Sequence, residues 1–145
     1  MTNAIIKASE ELLKRTLAGD EEAVARGLDV SHIHVTSNRS YNNEDALQSA
    51  IYLAYISALN KYTIIREMTA GKGFADVVFI PYVPDLPAMI IELKHGTSAE
   101  SAIDQIKEKQ YFDSLIHYEG NLLFVGIDYN EKEKTHECHI EKFVK

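Results

Sequence analysis

The sequence predicts an α/β fold with a mixed central sheet and helices at its N-terminal end. Three observations carry the prediction: apolar residues recur at helical spacing before residue 60, two β-rich runs flank a Pro-rich connection at 81–87, and a further helix-spaced segment precedes two more β-rich runs.

Residues 3–17 place Ile5, Ile6, Leu12, Leu13 and Leu17 at helical spacing, and Gly19-Asp20 ends this helix and caps the next. The second helix begins near Asp20 and fades by Val30, and the polar stretch Ser31 to Asn43 reads as turn and linker. Residues 1–41 thus form a helical extension and linker ahead of a core at 42–145, the whole chain being one domain. Asn42 or Asn43 opens a helix reaching about Leu59, with Leu47, Ala50, Ile51, Ala54, Tyr55 and Ala58 on a wide apolar face. Asn43 suits the N-cap, and the helix dipole favours Glu44 in the first turn.

Lys61 to Met68 reads as the first strand, and Gly71-Lys72-Gly73 as a tight turn. That triplet runs into a strand, so it lacks the Gly-Lys-Ser/Thr and following helix of a phosphate-binding loop. Residues 74–82 and 87–95 form a hairpin around Pro84. Thr97 or Ser98 caps a helix running to about His117, whose buried face holds Ala102, Ile103, Ile106, Tyr111, Leu115 and Ile116. Residues 121–129 are a buried strand, and the last strand spans about 134–143. The helix between the third and fourth strands permits their parallel pairing, while the hairpin is antiparallel.

At 145 residues with 46% hydrophobic content the chain can bury a real core. No run approaches the ~20 apolar residues of a membrane helix, and the N-terminus lacks a secretory layout, so a cytoplasmic setting is expected. Cys138 is the single cysteine, which agrees with a reducing compartment. A net charge of −7 argues against strong intrinsic affinity for nucleic acid. Lys61, Lys72, Lys94, Lys107 and Lys109 can still form a local positive rim.

The hairpin carries the chemistry. Antiparallel pairing centred near Pro84 puts Asp76 roughly across from Glu92, and period-two alternation puts Lys94 on the face of Glu92. Opposed like charges are destabilising, so something must compensate. Two carboxylates suit a hard divalent cation such as Mg2+, with Lys94 placed to orient a water or steady phosphorane charge. His136, Cys138 and His139 do not make a zinc site, because a strand turns His136 and Cys138 to one face and His139 to the other. His32 and His34 read as polar loop residues.

Asn43-Glu44 opening a helix, the run Gly71 to Asp76, Ile91-Glu92-Leu93-Lys94, and Gln105 followed by Tyr111 resemble the PD-(D/E)XK nuclease superfamily. More narrowly, they are similar to the nuclease-like domain at the C-terminus of AAA-ATPase-like proteins, over about Leu12 to Phe143. The resemblance implies a restriction-endonuclease-like core of order αβββαβ with a closing strand. It implies Asp76, Glu92 and Glu44 as ligands of Mg2+ or Mn2+, Lys94 as the catalytic lysine, and Gln105 beside the site. Tyr111 and Lys72 would contact substrate. Phe74 departs from the Arg or Tyr frequent at its place in the family, which bears on a phosphate contact and leaves the carboxylates intact.

The implied activity is hydrolysis of phosphodiester bonds in nucleic acid, with DNA favoured over RNA. The implied partner is an AAA-ATPase-like domain or subunit, and a homodimer is a compatible assembly. The rival expectation is a catalytically silent module that keeps the nuclease fold for binding or regulation beside an ATPase.

Overall fold

Five strands make one sheet in the order β1-β2-β3-β4-β5: β1 (Tyr62–Glu67), β2 (Asp76–Pro81), β3 (Ala88–His95), β4 (Leu122–Asn130) and β5 (Thr135–Phe143). The computed structural model describes residues 3–36, 51–67, 76–109, 121–130 and 132–143. β3 and β4 are parallel and every other neighbouring pair is antiparallel, so the mixed sheet expected from the crossover helix is what forms. Eight consecutive residues of β4, Leu122 to Tyr129, are buried, as befits a strand covered on both faces.

The two faces carry separate cores. On one, Val77, Phe79, Met89, Ile91, Val125 and Ile127 pack against Leu12, Leu13, Val24 and Leu28 of the N-terminal helices α1 (Asn3–Ala18) and α2 (Glu21–Thr36). Phe79 is wholly buried, with the rings of Tyr55 and Tyr62 edge-on at 5.5 and 6.0 Å. Burial of such a side chain contributes roughly 1.5–3 kcal/mol. On the other face, Val78, Ala88, Ile90, Leu122 and Phe124 meet Ile103 and Ile106 of α3 (Ala99–Lys109). The continuation of this helix toward His117 lies outside the described residues.

The break between α1 and α2 follows the turn chemistry. Gly19 adopts φ 77°, its amide donates to the Thr16 carbonyl, and the Asp20 amide donates to Arg15, which is a Schellman ending. Asp20 then caps α2 by accepting from the Ala23 amide at 3.2 Å.

Two expectations need correction. α2 does not fade at Val30 but continues to Thr36, so His32 and His34 stand on a helix rather than in a loop. No Gly or Pro occurs between Leu28 and Thr36 to stop it, and β-branched residues and His lower helix propensity without ending a helix. The helix expected to reach Leu59 keeps α geometry at 51–54 and tightens into a 3-10 turn over Ile56–Asn60. Ser9 of α1 takes the Ser57 amide at 2.9 Å, and amides of Ala58 and Lys61 bond three residues back, which draws the last turn inward. Among the described residues, no helix is long and apolar enough to cross a membrane.

Candidate active site

β3 turns Ala88, Ile90, Glu92 and Lys94 to the face covered by α3, since side chains alternate and Ala88 and Ile90 pack on that helix. Glu92 is wholly buried and Lys94 half-buried. The register of β2 on β3 pairs Val77 with Ile91, Val78 with Ile90 and Phe79 with Met89. Carried one residue further, it sets Asp76 opposite Glu92.

The Tyr82 amide donates to the Lys61 carbonyl, which fixes the phase of hydrogen bonding from β1 through β2 to β3. In that phase a register continued past Val77 and Ile91 would make the Asp76 and Glu92 positions a non-hydrogen-bonded pair, the kind whose Cα atoms approach to about 4.5 Å. The backbone of Asp76 also pairs with Glu67 of β1.

The parallel partner of Glu92 is Gly126, and that of Lys94 is Asp128. A Cβ at Gly126 would strike the Ala99 carbonyl and come within 2.9 Å of Ile103 Cγ1 and 3.1 Å of Ala102 Cβ. The missing side chain therefore lets the first turns of α3 close over β4 directly beside Glu92. A helix N-terminus carries partial positive charge, which favours a carboxylate nearby.

That N-terminus is tied down by two acids of the sheet. Asp128 Oδ1 accepts the Thr97 amide at 2.9 Å, and Glu137 Oε1 accepts the Ala99 amide at 2.8 Å. Ser98 Oγ takes the Ser101 amide at 3.0 Å, so the expected cap is the one used. Asp128 and Glu137 are themselves cross-strand partners.

Of the remaining sequence-predicted residues, Gln105 is half-buried on α3. It lies about 110° round the helix from the middle of its sheet-facing side, at 100° per residue. Glu44, Lys72 and Tyr111 lie outside the described residues. The structure thus brings Glu92 and Lys94 to one strand face with the Asp76 position in register, and sets Gln105 on the flank of the covering helix.

Gly126, Asp128 and Glu137 did not figure in the sequence reading. A glycine inside a strand marks close backbone approach, and an acid in an apolar strand marks a specific partner, so signals existed for the first two. Glu137 in a strand of alternating polarity gave none.

His136 and His139 have structural partners. His136 Nδ1 lies 2.7 Å from Asp29 Oδ1, and His139 Nδ1 lies 2.9 Å from Glu21 Oε2. An open cleft of about 530 Å3 beside them is bordered by Glu21, Glu22, Asp128, Glu133 and Glu137, a lining that repels polyanions. No group of three His, Cys, Asp or Glu side chains converges as a metal site among the described residues.

The family model of the PD-(D/E)XK nuclease superfamily matches residues 42–139, which include β1 to β4 and most of β5. No curated protein matches the chain.

Proposed function

The chain belongs to the PD-(D/E)XK nuclease superfamily, and from that premise we propose that it is a metal-dependent nuclease that cleaves DNA in preference to RNA. The observation that supports this most is the wholly buried Glu92 two residues from half-buried Lys94, in register with Asp76 and inside the matched segment. A strand has no structural need for an acid sealed under a helix.

The donor set fits a hard divalent cation, Mg2+ or Mn2+, which takes oxygen ligands and keeps several waters. Asp76 and Glu92 would hold it, with Glu44 from the first core helix. A cation bound there supplies Lewis acidity at the phosphate and lowers the pKa of a bound water. The Lys94 ammonium orients the attacking water and stabilises charge on the phosphorane oxygens. Lys72 and Tyr111 contact the substrate, and Gln105 positions it from α3. With a net charge of −7, affinity for nucleic acid is weak unless an associated AAA-ATPase-like partner supplies it.

The acidic cleft bordered by Glu21, Glu22 and Glu133 favours a second reading, a binding or regulatory module beside such an ATPase. One experiment separates the two. Plasmid, linear single-stranded DNA and structured RNA are incubated with the protein and Mn2+ or Mg2+, alongside the Lys94→Ala variant and EDTA controls. Cleavage of DNA that is lost in the variant and in EDTA is the expected result. Equal cleavage by parent and variant would sink the assignment of Lys94, and silence together with no Mn2+ binding by calorimetry would favour the module.

A further inference from the structure

The start of α3 is held more firmly than a helix start requires. Ser98 already caps the helix through the Ser101 amide at 3.0 Å. Two further amides at this end are nevertheless taken by carboxylates of the sheet, Thr97 N–H by Asp128 Oδ1 at 2.9 Å and Ala99 N–H by Glu137 Oε1 at 2.8 Å. The Thr97 hydroxyl donates to the same Asp128 oxygen at 3.4 Å.

The two acids are in-register partners on β4 and β5, and like charges so opposed repel. Uncharged polar caps would serve the helix without that repulsion. What carboxylates add is strength, since an amide given to an ionised acceptor is held about twice as firmly as one given to a neutral acceptor.

That strength is delivered at one peptide. Ala99 gives its N–H to Glu137, and its carbonyl stands where a Cβ of Gly126 would have to be. Gly126 is the in-register partner of wholly buried Glu92, and Asp128 is that of Lys94. The two acids thus anchor in the row of Lys94, and the peptide they fix covers the row of Glu92, ~6.6 Å along the strands.

We propose that Asp128 and Glu137 are positioning residues of the candidate metal site: they hold the first turn of α3 over Glu92, and Glu92 holds the cation. The proposal rests on the nuclease reading above. Neither acid is a ligand. Without them the helix start lifts, water reaches Glu92, and its carboxylate loses a fixed orientation. Partners that orient a ligand in this way contribute about 10–100-fold in metal affinity.

Mn2+ calorimetry on the full chain is the test, with Asp128→Ala, Glu137→Ala, Asp128→Asn and Glu137→Gln. Each alanine variant should bind Mn2+ about 10–100-fold more weakly than the parent. The Asn and Gln variants keep an oxygen that accepts the same amide, and should keep most of the affinity. Ser9→Ala is the stability control. Ser9 Oγ takes the Ser57 amide in the buried contact of α1, on the opposite face of the sheet from α3, so this variant should lose stability and keep parental affinity.

Circular dichroism and urea midpoints check each fold. Alanine variants that bind Mn2+ as the parent does would overturn the proposal and leave the nuclease reading standing. So would Asn and Gln variants that fall as far as the alanine ones, which marks charge or direct ligation, or a Ser9→Ala variant that falls with them. If an alanine variant does not fold, exchange of the Thr97 and Ala99 amides in the Asn and Gln variants decides: faster exchange should come with weaker Mn2+ binding, and faster exchange alone would overturn the proposal. A parent without Mn2+ affinity would bring down the nuclease reading itself, and the proposal with it.

Discussion

Glu92 and Gly126 are in-register partners across the parallel β3–β4 pair, and the bare Cα of Gly126 is what lets α3 close beside the buried carboxylate. Gly126→Ala forces its new methyl against the Ala99 carbonyl, which as backbone cannot swing aside. The expected cost is roughly 1–3 kcal/mol. Urea titration measures it, and an unchanged midpoint would show that α3 lifts freely from the sheet.

Glu92→Gln keeps the shape of a wholly buried side chain and removes an ionisable group whose desolvation costs several kcal/mol. In metal-free buffer the variant should melt at or above the parent temperature while losing Mn2+-supported cleavage. A lower melting temperature in the absence of metal would mean that Glu92 serves the fold.

Asp29 accepts both the amide and the ring nitrogen of His136 through one oxygen. Asp29→Ala leaves two polar groups at a buried histidine without that acceptor, an expected loss of roughly 2–6 kcal/mol at about 1–3 kcal/mol per group. The exposed Arg26–Glu22 pair is the control, and Arg26→Ala should change stability by less than about 0.5 kcal/mol. Similar losses in the two variants would refute a special role for the α2–β5 contact.

Burial, with Glu21 and Glu137 adding to it, pushes the Cys138 thiol well above its ordinary range. Burial, with Cys138 adding to it, does the same to the Tyr55 hydroxyl, against a smaller opposing effect of the Thr16 hydrogen bond. Both groups stay protonated in the folded chain while the unfolded chain releases their protons. Stability is therefore fully present below the unfolded thiol's pKa near ~8.5 and falls as pH rises above it. The expected slope is about 1.4 kcal/mol per pH unit for the thiol, steepening above ~10 as tyrosine joins. Denaturant midpoints between pH 8 and 10 check this, and Cys138→Ala should flatten the first part of the fall. Alkylation of the native thiol should be slow until urea opens the core.

Much of the fold was legible because it is written locally. The Gly19-Asp20 break, the β-rich runs on either side of Pro81 to Pro87, and the Ser98 cap depend on residues a few positions apart. Alternation along β2 and β3 likewise anticipated the register that pairs Val77 with Ile91 and leads to Asp76 and Glu92. What the N-terminal helices do was not legible. Asp29 meets His136 across 107 positions, and Glu21 meets Ile140 across 119. Neither contact leaves a periodic trace, and each exists because an edge strand has outward amides that a packed helix can satisfy. Nor could local pattern assign Asp128 and Glu137 to the start of α3, since that requires β4 and β5 to lie side by side first. Periodicity and turn chemistry by themselves determined the order of elements and the hairpin that joins the carboxylates to Lys94. Only the assembled sheet decided how deeply Glu92 is buried and how α2 covers the β5 edge, because burial and edge cover come from chain segments far apart in sequence.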